Sequence, residues 1–393
     1  MADRHDVARI EREMMARATA SDDADAIVSA FCEALVAAGL PLWRAALSLP
    51  ILDPLFRGVN LIWTRGRGVC LAATEHGPEG AALVARSPMT ALLGQGRRFG
   101  RWRLSDGEGT GMPLLAELRA EGGSDYVMHL AAFAPSTAIT GVAISFASDH
   151  PEGFSADDLD TLAALVPVTA LATAKLCLAR TMREALGTYL GSRTGAQVLA
   201  GRIRRGEGEV VSAAILLADL RGFTALTDRD DPLRVVSWLD EHFDALGEPV
   251  ARHGGEVLKF LGDGFLAIFP VDDPDADPCR ACAGALSAAR DGLARNDALN
   301  AARRAAGLPA LPADVVLHYG PVVYGNVGTG RRLDFTVVGR AVNEASRIER
   351  LCEERGEPVL VSDAFARRCA ARLRPAGAFS LRGVGQVQKV WAP

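Results

Sequence analysis

The chain has 393 residues, 49% hydrophobic and 23% charged, the composition of ordinary soluble globular protein and enough for two or three domains. Its net charge of −5, from 43 Lys and Arg against 48 Asp and Glu, argues against nucleic acid or an anionic membrane as main partner. Seven cysteines (Cys32, Cys70, Cys177, Cys279, Cys282, Cys352 and Cys369) fall at irregular spacing, which argues against a disulfide framework.

The N-terminal MADRHDVARIEREMM is charged and helical, without the apolar core of a signal peptide, so a cytoplasmic location is expected. Helices are predicted over 4–18 and 22–38. In the second, Ile27, Val28, Phe31, Leu35 and Val36 repeat with the helical period, and Gly39 and Pro41 stop it. Strand-like runs follow at 45–52, 60–64 and 69–73, then a helix over 87–93. A basic, aromatic strand candidate covers 98–104 and a helix 113–121. Residues 126–148 carry no Asp, Glu, Lys or Arg and are long enough to span a bilayer. Yet Pro135-Ser136-Thr137 interrupts them, and Val127, His129, Ala131 and Val142, Ile144, Phe146 alternate, so two paired strands are expected and no membrane span. His129 reads as a structural histidine, and Trp43, Trp63 and Trp102 as packing residues.

The region closes with GFSADDLDTLAALVPVTALA at 153–172. This ending, after helices and strands of this number, resembles a GAF-type sensor domain. The resemblance implies a possible small-molecule ligand, although no Cys-His pair marks a covalent bilin or haem site. Ser155 and Asp158 form a capping-box-like start to the exit helix, and Pro167 predicts a kink or a division into two helices. Its apolar face fits either a parallel coiled coil or packing on its own domain. Glycines at 187–191 and 201–208 form a joint.

The apolar run 211–218 ends on Asp219, followed by Arg221-Gly222 and Phe223-Thr224. A helix is predicted over 232–250. Two strand-like runs, 256–261 and 265–269, join at Gly262-Asp263-Gly264, a tight hairpin signal. Paired strands would bring Asp219 and Asp263 together, as hard divalent cations require. A long helix is expected from 276 to 305, within which the lone CxxC of Cys279 and Cys282 reads as packing. Strands at 314–319 and 321–325 are separated by Gly320-Pro321. A Gly/Arg-rich arm at 326–334, a short strand at 335–338 and a helix at 340–354 follow. The order β-α-β-β-α-β is the ferredoxin-like arrangement.

Three phrases, DLRGFT at 219–224, KFLGDG at 259–264 and DFTVVGRAVNEASRIE at 334–349, resemble the class III nucleotidyl cyclases over roughly the last 185 residues. The resemblance implies an α+β protein with domains at 1–154 (GAF-like), 155–208 (helical linker) and 209–393 (catalytic). It implies that Asp219, Asp263 and the Leu220 carbonyl bind two divalent cations, Mg²⁺ or Mn²⁺. Backbone N–H groups of Gly222, Phe223 and Thr224 would meet phosphate. Lys259 and Thr336 would read the purine: a lysine ammonium donates to adenine N1, an acceptor, and does not suit guanine N1, a donor. Asn343 and Arg347, four apart on one helix, would serve the transition state. In the family the metal and transition-state groups come from opposite subunits, which implies a homodimer. The expected activity is conversion of ATP to cyclic AMP and pyrophosphate, regulated by the N-terminal domain. A non-catalytic dimerisation module and a cyclase using GTP stand as alternatives. Arg340 departs from the small or acidic residue the family often has after this glycine.

Overall fold

The computed structural model describes residues 4–134, 139–228, 230–271, 277–381 and 387–393. It forms two compact units, Met1–Ala185 and Leu186–Pro393.

In the first unit, α1 (Arg4–Ala20) and α2 (Ala24–Ala37) precede β1 (Arg44–Pro50), β2 (Phe56–Thr64) and β3 (Gly68–Glu75). Then come α3 (Pro78–Ala85), α4 (Pro88–Gly94), β4 (Phe99–Arg103), α5 (Pro113–Ala120), β5 (Asp125–Ala132) and β6 (Gly141–Ser148). The strands make one six-stranded antiparallel sheet in the order β3-β2-β1-β6-β5-β4. The charge-free stretch is thus the paired strands β5 and β6; the turn expected at Pro135-Ser136-Thr137 lies outside the described residues. α3 was not expected from the sequence. It buries none of its residues, so it leaves no apolar stripe to read.

α6 (Ala156–Leu190) starts with a capping box: the Asp158 N–H donates to Ser155 Oγ at 3.2 Å, and the Ser155 N–H donates to Asp158 Oδ2 at 2.9 Å. The division expected at Pro167 is absent, and one helix runs through it. Leu162 and Leu165 before the proline and Val168 and Leu176 after it are buried in the same core, which offsets the lost backbone bond. Their partners are Ile27 and Phe31 of α2 and the sheet residues Leu47, Leu61, Ile144 and Phe146. One face of α6 is therefore packed on its own unit, while Leu171, Leu178 and Met182 are exposed. Among the described helices α6 alone is long and apolar enough to cross a bilayer, yet half of its most apolar window is buried in the protein.

The second unit contains α7 (Ser192–Leu199), β7 (Gly208–Leu220), α8 (Phe223–Thr227), α9 (Pro232–Arg252), β8 (Glu256–Leu261) and β9 (Gly264–Val271). α10 (Cys279–Ala305), β10 (Ala313–Gly328), β11 (Leu333–Val338) and α11 (Arg340–Arg355) follow. The chain ends with β12 (Val359–Ser362), α12 (Asp363–Ala366), β13 (Arg374–Phe379) and β14 (Gln388–Ala392). The spatial order β10-β7-β9-β8 of the β7-α9-β8-β9-α10-β10 segment is the expected ferredoxin-like core, extended by β12, β14 and β13.

Two details differ from expectation. β10 is one strand through Gly320-Pro321. On one side it pairs with β7 from Ala313 to Gly325. On the other, Pro321 falls between the stretch held by β12 (Val315–Leu317) and the stretch held by β11 (Val323–Gly328), where no ladder donor is needed. The Gly/Arg-rich arm is the β10–β11 hairpin, closed by the Thr329 N–H donating to the Arg332 carbonyl at 2.8 Å.

The sheet is covered on both faces, which explains the unbroken apolar run of β7. Ala214, Leu216 and Ala218 pack under α9 and α10, where Cys282 is part of the core. Ala213, Ile215 and Leu217 pack under α11 through Ala341, Ala345, Ile348 and Cys352. α7 is tied to β8 where the Arg193 N–H donates to Glu256 Oε1 at 2.8 Å.

Candidate active site

Strand alternation carries Asp219, two residues beyond Leu217, to the α11 face. Directly opposite on β10 stands Asp314. Arg221, again two residues on, grips Asp314 with both ends of its guanidinium, with Nε 3.0 Å from Oδ2. Asp263 is at the β8–β9 turn, where Leu261 pairs with Gly264 and Gly262 takes φ +71°. Gly264 is the close approach: a Cβ there would lie 2.4 Å from the Ala218 carbonyl oxygen and 2.7 Å from Asp219 Oδ1. Only a glycine lets the hairpin tip lie against the end of β7.

The electrostatics follow from this crowding. Burial, then Asp263, Glu349 and Asp314, push the Asp219 carboxyl up to about 7. Burial also raises Asp263. Glu349 on α11 is raised by burial and then by Asp314 and Asp263. Acids held above their normal range by burial, and Asp219 and Glu349 also by their acidic neighbours, with the nearby arginine committed to Asp314, make a site that fits divalent cations. Among the described residues no three His, Cys, Asp or Glu side chains are grouped to hold an ion alone. Two aspartates supplemented by a phosphate ligand suit magnesium better than a full protein cage.

Leu220 points its side chain the other way, into a small core with Val235, Trp238 and Leu311. Gly222 takes φ +77° and precedes the five-residue α8, whose start has no side-chain cap; Phe223 and Thr224 are its first two residues. Lys259 reaches the α11 face through a β-bulge. Val257 pairs with Ala267 but Lys259 with Leu266, so Leu258 is the extra residue. Unbroken alternation would have set Lys259 opposite Phe265, on the α9 and α10 face. Its ammonium lies 3.1 Å from Asp334 Oδ2 on β11, two residues before Thr336. Thr336 is 4% exposed, and its hydroxyl has no partner among the described residues. Asn343 is exposed and Arg347 half-buried on α11, away from the helix's buried stripe. Arg340 pairs along the helix with Glu344 at 2.6 Å.

The structure therefore gathers Asp219 and Asp263, sets Lys259 beside the strand carrying Thr336, and carries Asn343 and Arg347 on one helix. Sequence reasoning missed Arg221, Asp314, Asp334 and Glu349. Arg221, Asp334 and Glu349 lie inside the recognised phrases and could have been weighed there. Asp314 becomes visible only through the register of β10 on β7.

Residues 207–391 match the family model of the adenylate and guanylate cyclase catalytic domain. This segment is a class III cyclase catalytic domain. The chain is similar to adenylate cyclase 1 of Rhizobium meliloti, 34% identical over 171 residues, which is 43% of this chain and 25% of that protein. It is similar to an adenylate cyclase of Anabaena cylindrica, 32% identical over 176 residues, 45% of this chain and 34% of that one. The chain thus spans about a quarter to a third of the length of these curated relatives. Among solved structures, the guanylyl cyclase Cya2 aligns over 47% of this chain and 92% of its own, with 26% identity and a TM-score of 0.41. The cyclase domain coincides with the second compact unit apart from its first residues and its last two.

Proposed function

We propose that the protein is an adenylate cyclase, active as a homodimer and regulated by a GAF-type first unit joined through α6. The observation that carries this reading is the uncompensated meeting of Asp219 and Asp263 at the end of β7, beside Glu349. Asp219, Asp263 and the Leu220 carbonyl would hold two divalent cations, which supply Lewis-acid activation of the ribose 3′-hydroxyl and charge neutralisation at the triphosphate.

In the reaction the 3′-oxygen bonds to the α-phosphorus, the bond to the β-phosphate oxygen breaks, and pyrophosphate leaves. Arg347 offsets the charge developing on the α-phosphate, and Asn343 orients the ribose. Backbone N–H groups of Gly222, Phe223 and Thr224 face the phosphates. Lys259 donates to adenine N1, and the Thr336 hydroxyl accepts from the amino group. The unmet buried hydroxyl of Thr336 supports a role in which a ligand completes its hydrogen bonding. Asn343 and Arg347 belong to the partner's site, which makes the dimer obligatory for turnover.

The first unit's antiparallel sheet, with α2 and α6 on one face, supports the sensor reading. The deciding experiment is turnover of ATP, GTP, CTP and UTP at matched Mg²⁺ and Mn²⁺. Cyclic AMP formation from ATP is expected to dominate. Absence of any cyclic product with either metal would leave a non-catalytic module.

A further inference from the structure

The first unit's sheet has a second face, and it is only partly filled, by a small core of Leu92, Leu104, Leu115 and Leu118 on Tyr126 and Met128. Beneath α3, α4 and α5 lies a cavity of about 840 Å³. Its apolar wall comes from the strand positions that alternate with the packed core: Ala46, Ile62, Ala72, Met128, Leu130 and Ala143. Three of these six are alanines, so the face is too shallow for the roofing helices to close on it. A volume of this size matches small-molecule sites in proteins.

Two polar features point inward. Tyr126 lines the cavity and is 2% exposed, with its hydroxyl beside Ser145 in the same lining. Five arginines, Arg44, Arg57, Arg86, Arg97 and Arg98, line the same cavity, against Glu117 as its single acidic residue. Among the described residues none of the five is paired with a carboxylate; Arg86 donates only to the Gly111 carbonyl, at 3.4 Å. Arg57, Arg86, Arg97 and Arg98 are exposed and Arg44 is half-buried, so these guanidinium groups are open to an incoming anion, whereas Arg101 is held on buried Asp125 at 2.6 Å. Uncompensated guanidinium groups around an apolar cavity recognise a negative charge carried on an apolar body.

We propose that this cavity binds an amphipathic organic anion, a carboxylic acid with an apolar body, its acid at the arginines and its body on the alanine-rich sheet face. A neutral lipid-like molecule would leave the arginines unused, and a compact inorganic anion would leave the apolar wall wet. The site lies wholly within the first unit and stands independently of the cyclase reading.

The test is calorimetric titration of the full chain with octanoate and with 1-octanol, which share a body and differ in charge. Octanoate should bind saturably at one per chain, about tenfold or more tighter than 1-octanol. Arg44→Gln with Arg98→Gln should weaken octanoate about tenfold and leave 1-octanol unchanged. Ala46→Trp, which fills the cavity, should weaken both, with thermal melting used to confirm that each variant is folded. Equal binding of the two ligands, no saturable octanoate binding at millimolar concentration, or undiminished binding by folded Ala46→Trp would each overturn the proposal. The readout needs no turnover, so failure here and failure of the cyclase assignment are separate results.

Discussion

Asp219 and Asp314 stand directly opposite each other on β7 and β10, on the sheet face covered by α11. Their neighbour Arg221 is committed to Asp314. Asp219 is left with Asp263 and Glu349 for company, all three raised by burial and Asp219 and Glu349 also by their acidic neighbours. The ion pair thus serves one carboxylate and leaves the other without a cationic partner among the described residues.

Asp219→Asn and Asp263→Asn should each abolish cyclic nucleotide formation. Neither should destabilise the metal-free protein, because each removes a crowded charge and no favourable partner. Turnover assays and chemical denaturation without divalent cations check the two halves. Activity near wild type in either variant removes that residue from the metal site. Gly264→Ala should also lose activity, since the added methyl displaces the hairpin tip from Asp219.

The two ion pairs of the site should behave differently. Asp314 is 6% exposed at its side chain, so Arg221→Gln strands a buried charge and should cost about 1–3 kcal/mol in denaturant unfolding. The Lys259–Asp334 pair is 35% and 56% exposed, so Asp334→Asn should cost less than about 1 kcal/mol. If Lys259 reads the base as proposed, so exposed a pair would give up the lysine at little cost. ATP should be preferred over GTP by about tenfold or more, and Lys259→Ala should remove that preference. Equal rates with both nucleotides in the unaltered protein would show that Lys259 does not read the base.

Subunit sharing has a quantitative signature. Asp219→Ala and Arg347→Ala, each inactive alone, should complement when co-expressed. Half of randomly mixed dimers are heterodimers, and each has one of two sites intact, so activity should recover to about a quarter of wild type. Demonstrated heterodimers without recovery would place both residues in one subunit's site.

Acid stability should depend on buried histidines. His242 on α9 is fully buried with neither ring nitrogen partnered among the described residues, and burial lowers it to about 4. Its folded value lies below the unfolded one, so its contribution is complete above about pH 6.5 and is lost as pH falls toward 4. Over that window it should contribute a slope of about 1.4 kcal/mol per pH unit. His242→Leu should flatten the stability profile by that amount. His318 and His129, also lowered to about 4 by burial, should keep the residual slope.

The sequence by itself determined the elements whose signals are local. The run before Asp219 is buried on both faces, so it reads as a strand from its apolar content alone. Gly262-Asp263-Gly264 declares its turn because glycine chemistry there is local. Ser155 and Asp158 likewise announce a helix start within four residues. Tertiary structure decided what depends on partners distant in sequence. Pro167 did not divide α6, because packing on both sides of it outweighed one missing hydrogen bond. A single extra residue at Leu258 decided which face Lys259 occupies, and alternation counted along the strand gives the wrong one. Asp314 entered the site only through the register of β10 on β7. The arginine-lined cavity was illegible for the same reason: its arginines are scattered from 44 to 98 and converge only when the six-stranded sheet and its short helices assemble.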